Sequence, residues 1–153
     1  MQKKTKLMLL FIFITGTIVA QPYGTAVGLR LGANTAHISP GFTAKHFLKE
    51  DQAVEVLVGI NNGIGICGLY EWHKDIATVP NLQWFAGGGG YAAFRYNTSY
   101  VGVAGIAGLE YTFTEVPINI TLDWKPELNI VSSVGFESSG IGLSVRYCFG
   151  SAR

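Results

Sequence analysis

The sequence predicts an all-β fold: an eight-stranded antiparallel transmembrane β-barrel, joined as an up-and-down meander. Three features of the 153-residue chain carry that prediction. Eight segments alternate apolar and polar side chains with the period of two that a strand imposes. Their polar faces together hold Arg30, Lys45, Arg95, Lys125 and Arg146 against Glu55, Glu71, Glu110, Asp123 and Glu127, five charges of each sign. Their apolar faces hold valine, isoleucine, leucine and aromatics, and eight of the aromatics fall near one end of the strands. A small closed barrel has an interior just wide enough for side chains to fill. Balanced charge and glycine therefore belong inside, and the apolar band outside against hydrocarbon. Closure also removes the unpaired sheet edges that hydrocarbon does not tolerate.

Residues 1–20 read as a signal peptide and 21–153 as the barrel domain. Lys3, Lys4 and Lys6 open the chain, an apolar run follows from Leu7 to Ile14, and small residues lead to Ala20. As a membrane anchor the run is short against the roughly 20 residues a spanning helix needs. Without those three lysines the chain carries eight basic and ten acidic side chains. It shows no basic patch for nucleic acid.

The strands follow in order. Tyr23 to Gly32 puts Tyr23, Val27, Leu29 and Leu31 on one face and Ala26, Gly28 and Arg30 on the other. Gly41 to Leu48 carries Lys45 opposite Phe42, Ala44 and Leu48, with His46 on the apolar side and Phe47 on the polar one. Val54, Val56, Val58 and Ile60 oppose Glu55 and Leu57; Asn61-Asn62-Gly63 then turns the chain. Ile66, Gly68, Tyr70 and Trp72 oppose Cys67, Leu69, Glu71 and His73. Leu82 to Arg95 places Trp84 and Phe94 outside, with Phe85, Tyr91 and Arg95 inside. After a turn around Asn97-Thr98-Ser99, Val101 to Phe113 sets Leu109, Tyr111 and Phe113 against Ile106 and Glu110. Ile118 to Ile130 is the cleanest alternation; its Pro126 predicts a bulge above membrane level, because proline cannot donate to a ladder. Gly140 to Phe149 ends the barrel, with Ile141, Leu143, Val145, Tyr147 and Phe149 opposite Arg146.

With the N-terminus on the periplasmic side, Tyr23, Tyr70, Trp72, Trp84, Tyr111, Phe113, Tyr147 and Phe149 share one rim and predict an interfacial girdle. Phe42 and Phe94, with Tyr96 and Tyr100, suggest a thinner girdle at the other rim. On these residues the chain resembles the small eight-stranded outer-membrane β-barrel proteins of Gram-negative bacteria, the OmpA/OmpX type. The resemblance covers Tyr23 to Phe149. It is nearest at Leu109-Glu110-Tyr111-Thr112-Phe113, at Asp123-Trp124-Lys125-Pro126 and at the closing Arg146-Tyr147-Cys148-Phe149. It implies residence in the outer membrane, contact with outer-membrane lipids and lipopolysaccharide, and an assembly signal at Phe149 that the barrel-assembly machinery reads. The chain departs from the pattern by continuing through Gly150-Ser151-Ala152-Arg153.

Candidate chemistry is sparse. Gly87-Gly88-Gly89-Gly90 lies inside a strand without a following helix, so it reads as room for curvature rather than a phosphate loop. Tyr91 is expected to lie over a glycine gap. Glu71, His73 and Cys67 superficially resemble metal ligands, but the third lies far along the strand, and lumen polarity is the preferred reading. Cys67 and Cys148 fall at opposite barrel ends, too far apart for a disulfide. His37-Ile38-Ser39 and His46 are the groups a lipid-modifying enzyme could use, yet no carboxylate has a clear claim on either histidine. The sequence therefore predicts a monomeric, non-enzymatic envelope component with a charge-filled, plugged lumen and no cofactor. A lipid A acyl hydrolase or transferase and a narrow pore are its alternatives.

Overall fold

The computed structural model describes residues 23–33, 40–61, 63–131 and 133–150. The predicted signal segment, His37-Ile38-Ser39 and the end of the chain after Gly150 lie outside the described residues. Ten strand segments form one sheet: β1 (Thr25–Ala33), β2 (Gly41–Lys49), β3 (Gln52–Gly59), β4 (Ile64–Asp75), β5 (Leu82–Arg95), β6 (Thr98–Thr112), β7 (Ile118–Trp124), β8 (Glu127–Val131), β9 (Gly135–Glu137) and β10 (Ile141–Phe149). Every pairing is antiparallel, and β1 closes on β10 from Thr25 opposite Phe149 to Ala33 opposite Ile141. β7 and β8 are halves of one crossing, as are β9 and β10. The wall is thus a closed barrel of eight crossings, as the sequence predicts.

Two rims follow. The near rim holds the start of β1, the end of β10 and the connections 50–51, 76–81 and 113–117. Among the described residues the far rim holds 60–61 and 63, 96–97 and 133–134. β5 and β6 are the longest segments, 14 and 15 residues, and their hairpin closes at Arg95 opposite Thr98. Only Tyr96 and Asn97 turn the chain there, Tyr96 at φ 28°, so the ladder runs through much of the loop that the sequence suggests.

Pro126 interrupts the seventh crossing between β7 and β8. Its carbonyl accepts from Gly105 N at 3.0 Å, and the reciprocal bond is the one a proline cannot give. The register against β6 continues through it unchanged: Ala107 faces Trp124 and Ala104 faces Glu127. The irregularity lies on the opposite edge, where Ser138 to Gly140 separate β9 from β10 and Lys125 N donates to Gly140 O at 2.9 Å.

Side chains alternate across the wall. Leu29 is 59% exposed on the outer surface, whereas Arg30 beside it is fully buried. Inward glycines give the wall its curvature. A Cβ on Gly87 or Gly89 would lie 2.0 or 1.8 Å from a carbonyl oxygen of β4. On the outward Gly88 and Gly90 the nearest atom would be 3.3 or 3.5 Å away. Steric necessity thus falls on the inward half of the Gly87 to Gly90 run.

Candidate functional site

The lumen brings charged side chains from eight strand segments together. Nearest the near rim, Lys45 Nζ of β2 lies 2.8 Å from Glu71 Oε2 of β4, 2.9 Å from Glu110 Oε2 of β6 and 3.8 Å from Glu55 Oε2 of β3. Its ammonium also stands 4.4 Å above the Phe85 ring, a cation–π placement. Arg146 of β10 is held on every nitrogen. Nε donates to Thr43 Oγ1 at 2.9 Å, Nη1 to Thr121 Oγ1 at 2.6 Å and Asn119 Oδ1 at 3.2 Å, and Nη2 to Glu55 Oε1. Thr43 donates to the same Glu55 oxygen, and Tyr23 donates to Glu110 Oε1 at 2.6 Å. Glu71 Oε2 is also 2.9 Å from His73 Nε2.

Arg30 of β1 and Asp123 of β7 form a two-pronged pair, the arrangement that suits a planar guanidinium. Gly142 makes room for it: a Cβ there would lie 2.2 Å from Arg30 Nη2. Farther along, Lys125 pairs with Glu127. The Tyr91 ring lies over Gly102, whose Cβ would come within 2.7 Å of the phenol, and Tyr91 Oη reaches Asn129 Oδ1 at 3.5 Å. Arg95, predicted within the lumen network, ends β5 at the far mouth. It is half-buried, with its guanidinium carbon 6.0 Å from the Tyr100 ring centroid.

The lumen is not charge-filled throughout. Leu57, Cys67, Leu69, Phe85, Tyr91, Ala104 and Ile106 form a buried apolar cluster on the inward faces of β3 to β6. The prediction weighed the charges and undercounted these residues, which occupy the same parity positions on adjacent strands and pack side by side. The interior is therefore half ionic and half apolar. A cavity of about 400 Å³ opens at the near rim, where Glu110, Tyr23 and Phe47 line it. Another of about 210 Å³ opens at the far rim against Tyr91, Glu127 and Phe136.

Seven of the eight predicted girdle residues stand on the outer surface at the near rim. Trp72, Trp84, Phe113 and Phe149 are exposed, and Tyr70, Tyr111 and Tyr147 are half-buried. Tyr70 pairs edge-on with Trp72, Tyr111 with Phe113 and Tyr147 with Phe149, at centroid distances of 4.9, 5.0 and 4.8 Å. Tyr23 is the correction. It is 2% exposed and turned inward, because the chain bends at Gly24 before β1 begins and strand parity does not reach it. Phe47 turns inward beside it at 5.2 Å, next to the register shift between Phe47 and Lys49 that ends β2. His73 stacks on Phe85 at 5.0 Å and stands 4.8 Å from Phe47, so the near mouth has an aromatic lining.

The other candidates separate. Cys67 lies in the apolar cluster, away from the Glu71 to His73 contact, and Cys148 is half-buried beside Ala26; both thiols are free. His46 is on the outer face near the rim of β1, with Nδ1 2.7 Å from Thr25 Oγ1. Sequence reasoning gave Tyr23, Thr43, Thr121 and Gly142 no part in the lumen's ionic network, although Thr121 and Gly142 share the polar faces of Asp123 and Arg146. Thr43 and Thr121 each sit two residues, one inward step, from a charged residue, Lys45 and Asp123, and Gly142 lies two inward steps from Arg146.

These features define a closed, eight-stranded antiparallel barrel with a polar and apolar filling. The chain is similar in structure to the N-terminal β-barrel domain of Pseudomonas aeruginosa OprF, with a TM-score of 0.63 at 15% identity. The match covers 84% of this chain and all of that domain. No family model and no curated protein matches the chain.

Proposed function

We propose that the chain is a non-enzymatic integral outer-membrane β-barrel protein, exported by a cleaved signal peptide, monomeric, with a structural role in the envelope. The observation that carries this reading is the inversion of burial. Arg30, Lys45, Glu55, Glu71, Glu110 and Arg146 are all within 1% of complete burial, while Leu31, Ile66, Leu122 and Leu143 face outward at 45–64% exposure. In water that outer band would forgo about 25 cal/mol for each Å² of apolar surface. Hydrocarbon removes the penalty and requires a closed sheet. The rim of seven aromatics supports an interface at that level, and likeness to the OprF domain supports the same membrane. The ionic cluster and the apolar cluster support a plugged lumen over a pore. His46, bonded to Thr25 and not to a carboxylate, lends an enzyme no support.

The test is fractionation of cells with and without the protein, followed by mass spectrometry of their lipid A. The reading expects recovery with the outer membrane, unchanged acyl masses and greater sensitivity to detergent when the protein is missing. Recovery in a soluble fraction would overturn it, and an acyl mass shift would replace it with the enzyme reading.

A further inference from the structure

The ionic cluster does not balance. Arg30 with Asp123 and Lys125 with Glu127 are self-balanced pairs, but Lys45 and Arg146 face three carboxylates: Glu55, Glu71 and Glu110. All five side chains are buried to within 1%. An uncompensated charge in such a place is costly. Two further facts locate the remedy. Glu55 Oε2 and Glu71 Oε1 are the two carboxylate oxygens that are buried without a hydrogen-bond partner among the described residues. The two carboxyl groups also lie within hydrogen-bond reach of each other.

We propose that Glu55 and Glu71 form a proton-binding dyad, one carboxylic acid donating to one carboxylate across the lumen. A single proton between these oxygens neutralises the cluster and gives each orphan oxygen a partner, as happens where two carboxylates share one site. The ligand is a proton, held at neutral pH. The groups facing the dyad are Lys45 from β2, His73 from β4, Glu110 from β6 and Arg146 from β10, together with Tyr23 ahead of β1; Arg30 lies beyond with its own Asp123.

His73 is the competing carrier. A cationic His73 would balance the cluster as well, but it would leave the two orphan oxygens confronting each other as like charges. It would also turn Nδ1, buried without a partner, into an unsatisfied donor between the rings of Phe85 and Phe47. A neutral His73 with its proton on Nε2, directed at Glu71 Oε2, avoids both costs.

The experiment is infrared difference spectroscopy of the full folded chain in detergent micelles at pH 7, in wild type, Glu71→Gln and Glu55→Gln. A buried protonated carboxyl absorbs apart from carboxylate and amide bands. The proposal expects that band in wild type, shifted by ¹³C-glutamate, and absent from both amide variants. Glu71→Gln keeps a donor at the dyad, so its unfolding midpoint should hold as pH rises. In wild type the ratio of folded to unfolded protein should fall by about tenfold per pH unit from the ordinary carboxylate range up to the pH at which the folded dyad releases its proton, and level off above it. The wild-type spectrum alone decides the matter if the variants fail to fold. No protonated-carboxyl band would overturn the proposal, as would an imidazolium NMR signature at His73, a band untouched in folded variants, or a midpoint that tracks sodium concentration instead of pH.

Discussion

Arg146→Leu removes the cation with the most partners in the lumen. Arg146 donates to Glu55, Thr43, Thr121 and Asn119 and stands 3.9 Å from Glu110. Without it the next cation for Glu55 is Lys45, at 3.8 Å, whose ammonium already serves Glu71 and Glu110 at 2.8 and 2.9 Å. Three buried carboxyl groups would then share one positive charge. Removing one partner of a buried pair costs about 3–5 kcal/mol, or roughly a 10²- to 10³-fold fall in the ratio of folded to unfolded protein. The assay is urea unfolding in lipid vesicles, read by the electrophoretic shift between folded and unfolded barrel. Arg153→Leu serves as the control. Arg146→Leu with Glu55→Leu should cost less than the sum of the two single changes by more than about 1 kcal/mol, because the pair is coupled. Equal midpoints for Arg146→Leu and Arg153→Leu, or strict additivity in the double variant, would refute the reasoning.

Gly142→Ala should push Arg30 off Asp123, since the new methyl would lie 2.2 Å from Nη2 of a guanidinium that has nowhere to go. Overpacking of this kind costs about 1–3 kcal/mol. Gly135→Ala, with nothing within 4 Å of the added carbon, should leave the urea midpoint unchanged; a matching loss in both would count against the lumen geometry. Phe85→Ala should cost about 3–5 kcal/mol, because the ring is 1% exposed and supports Lys45, His73 and the apolar cluster together. The same change at Phe136, 68% exposed, should cost far less by the same unfolding assay.

The strand count, the facing of nearly every residue and the closure were legible because side-chain parity is a local property of the chain. The failures occur where local rules stop. Tyr23 fits the parity of β1 by counting, but the bend at Gly24 lies between them, and the phenol reaches Glu110, 87 residues away. Phe47 looks like an imperfection in an alternating strand. It is an inward ring at a register shift, so the irregularity in the sequence reports a real one in the ladder. Which cation meets which carboxylate could not be read, since that depends on the stagger between strands. Arg146 faces Asn119 and Gly28 by register, yet its guanidinium reaches Thr43 and Glu55 on strands that are not its neighbours.

The two halves of the lumen supply different things to the fold. Leu57, Leu69, Phe85 and Ile106 are removed from water whatever surrounds the barrel, so their burial stabilises it as a soluble core would. The ionic half adds little by that measure, since a buried ion pair does little more than repay its own desolvation. Its contribution is to fix the register. Slipping β10 by one residue against β1 would turn Arg146 to the outside and Val145 and Tyr147 to the lumen. An arginine facing lipid costs about 2–4 kcal/mol at mid-depth, and the Glu55 it abandons would be left buried with a partner missing. The same slip with an apolar lumen would exchange one hydrophobic face for another at small cost. A barrel this narrow, with glycines on both faces of β5 from Gly87 to Gly90, has no bulky side chain along that run to hold its strands in step, and the charges make each misalignment expensive on both sides of the wall at once.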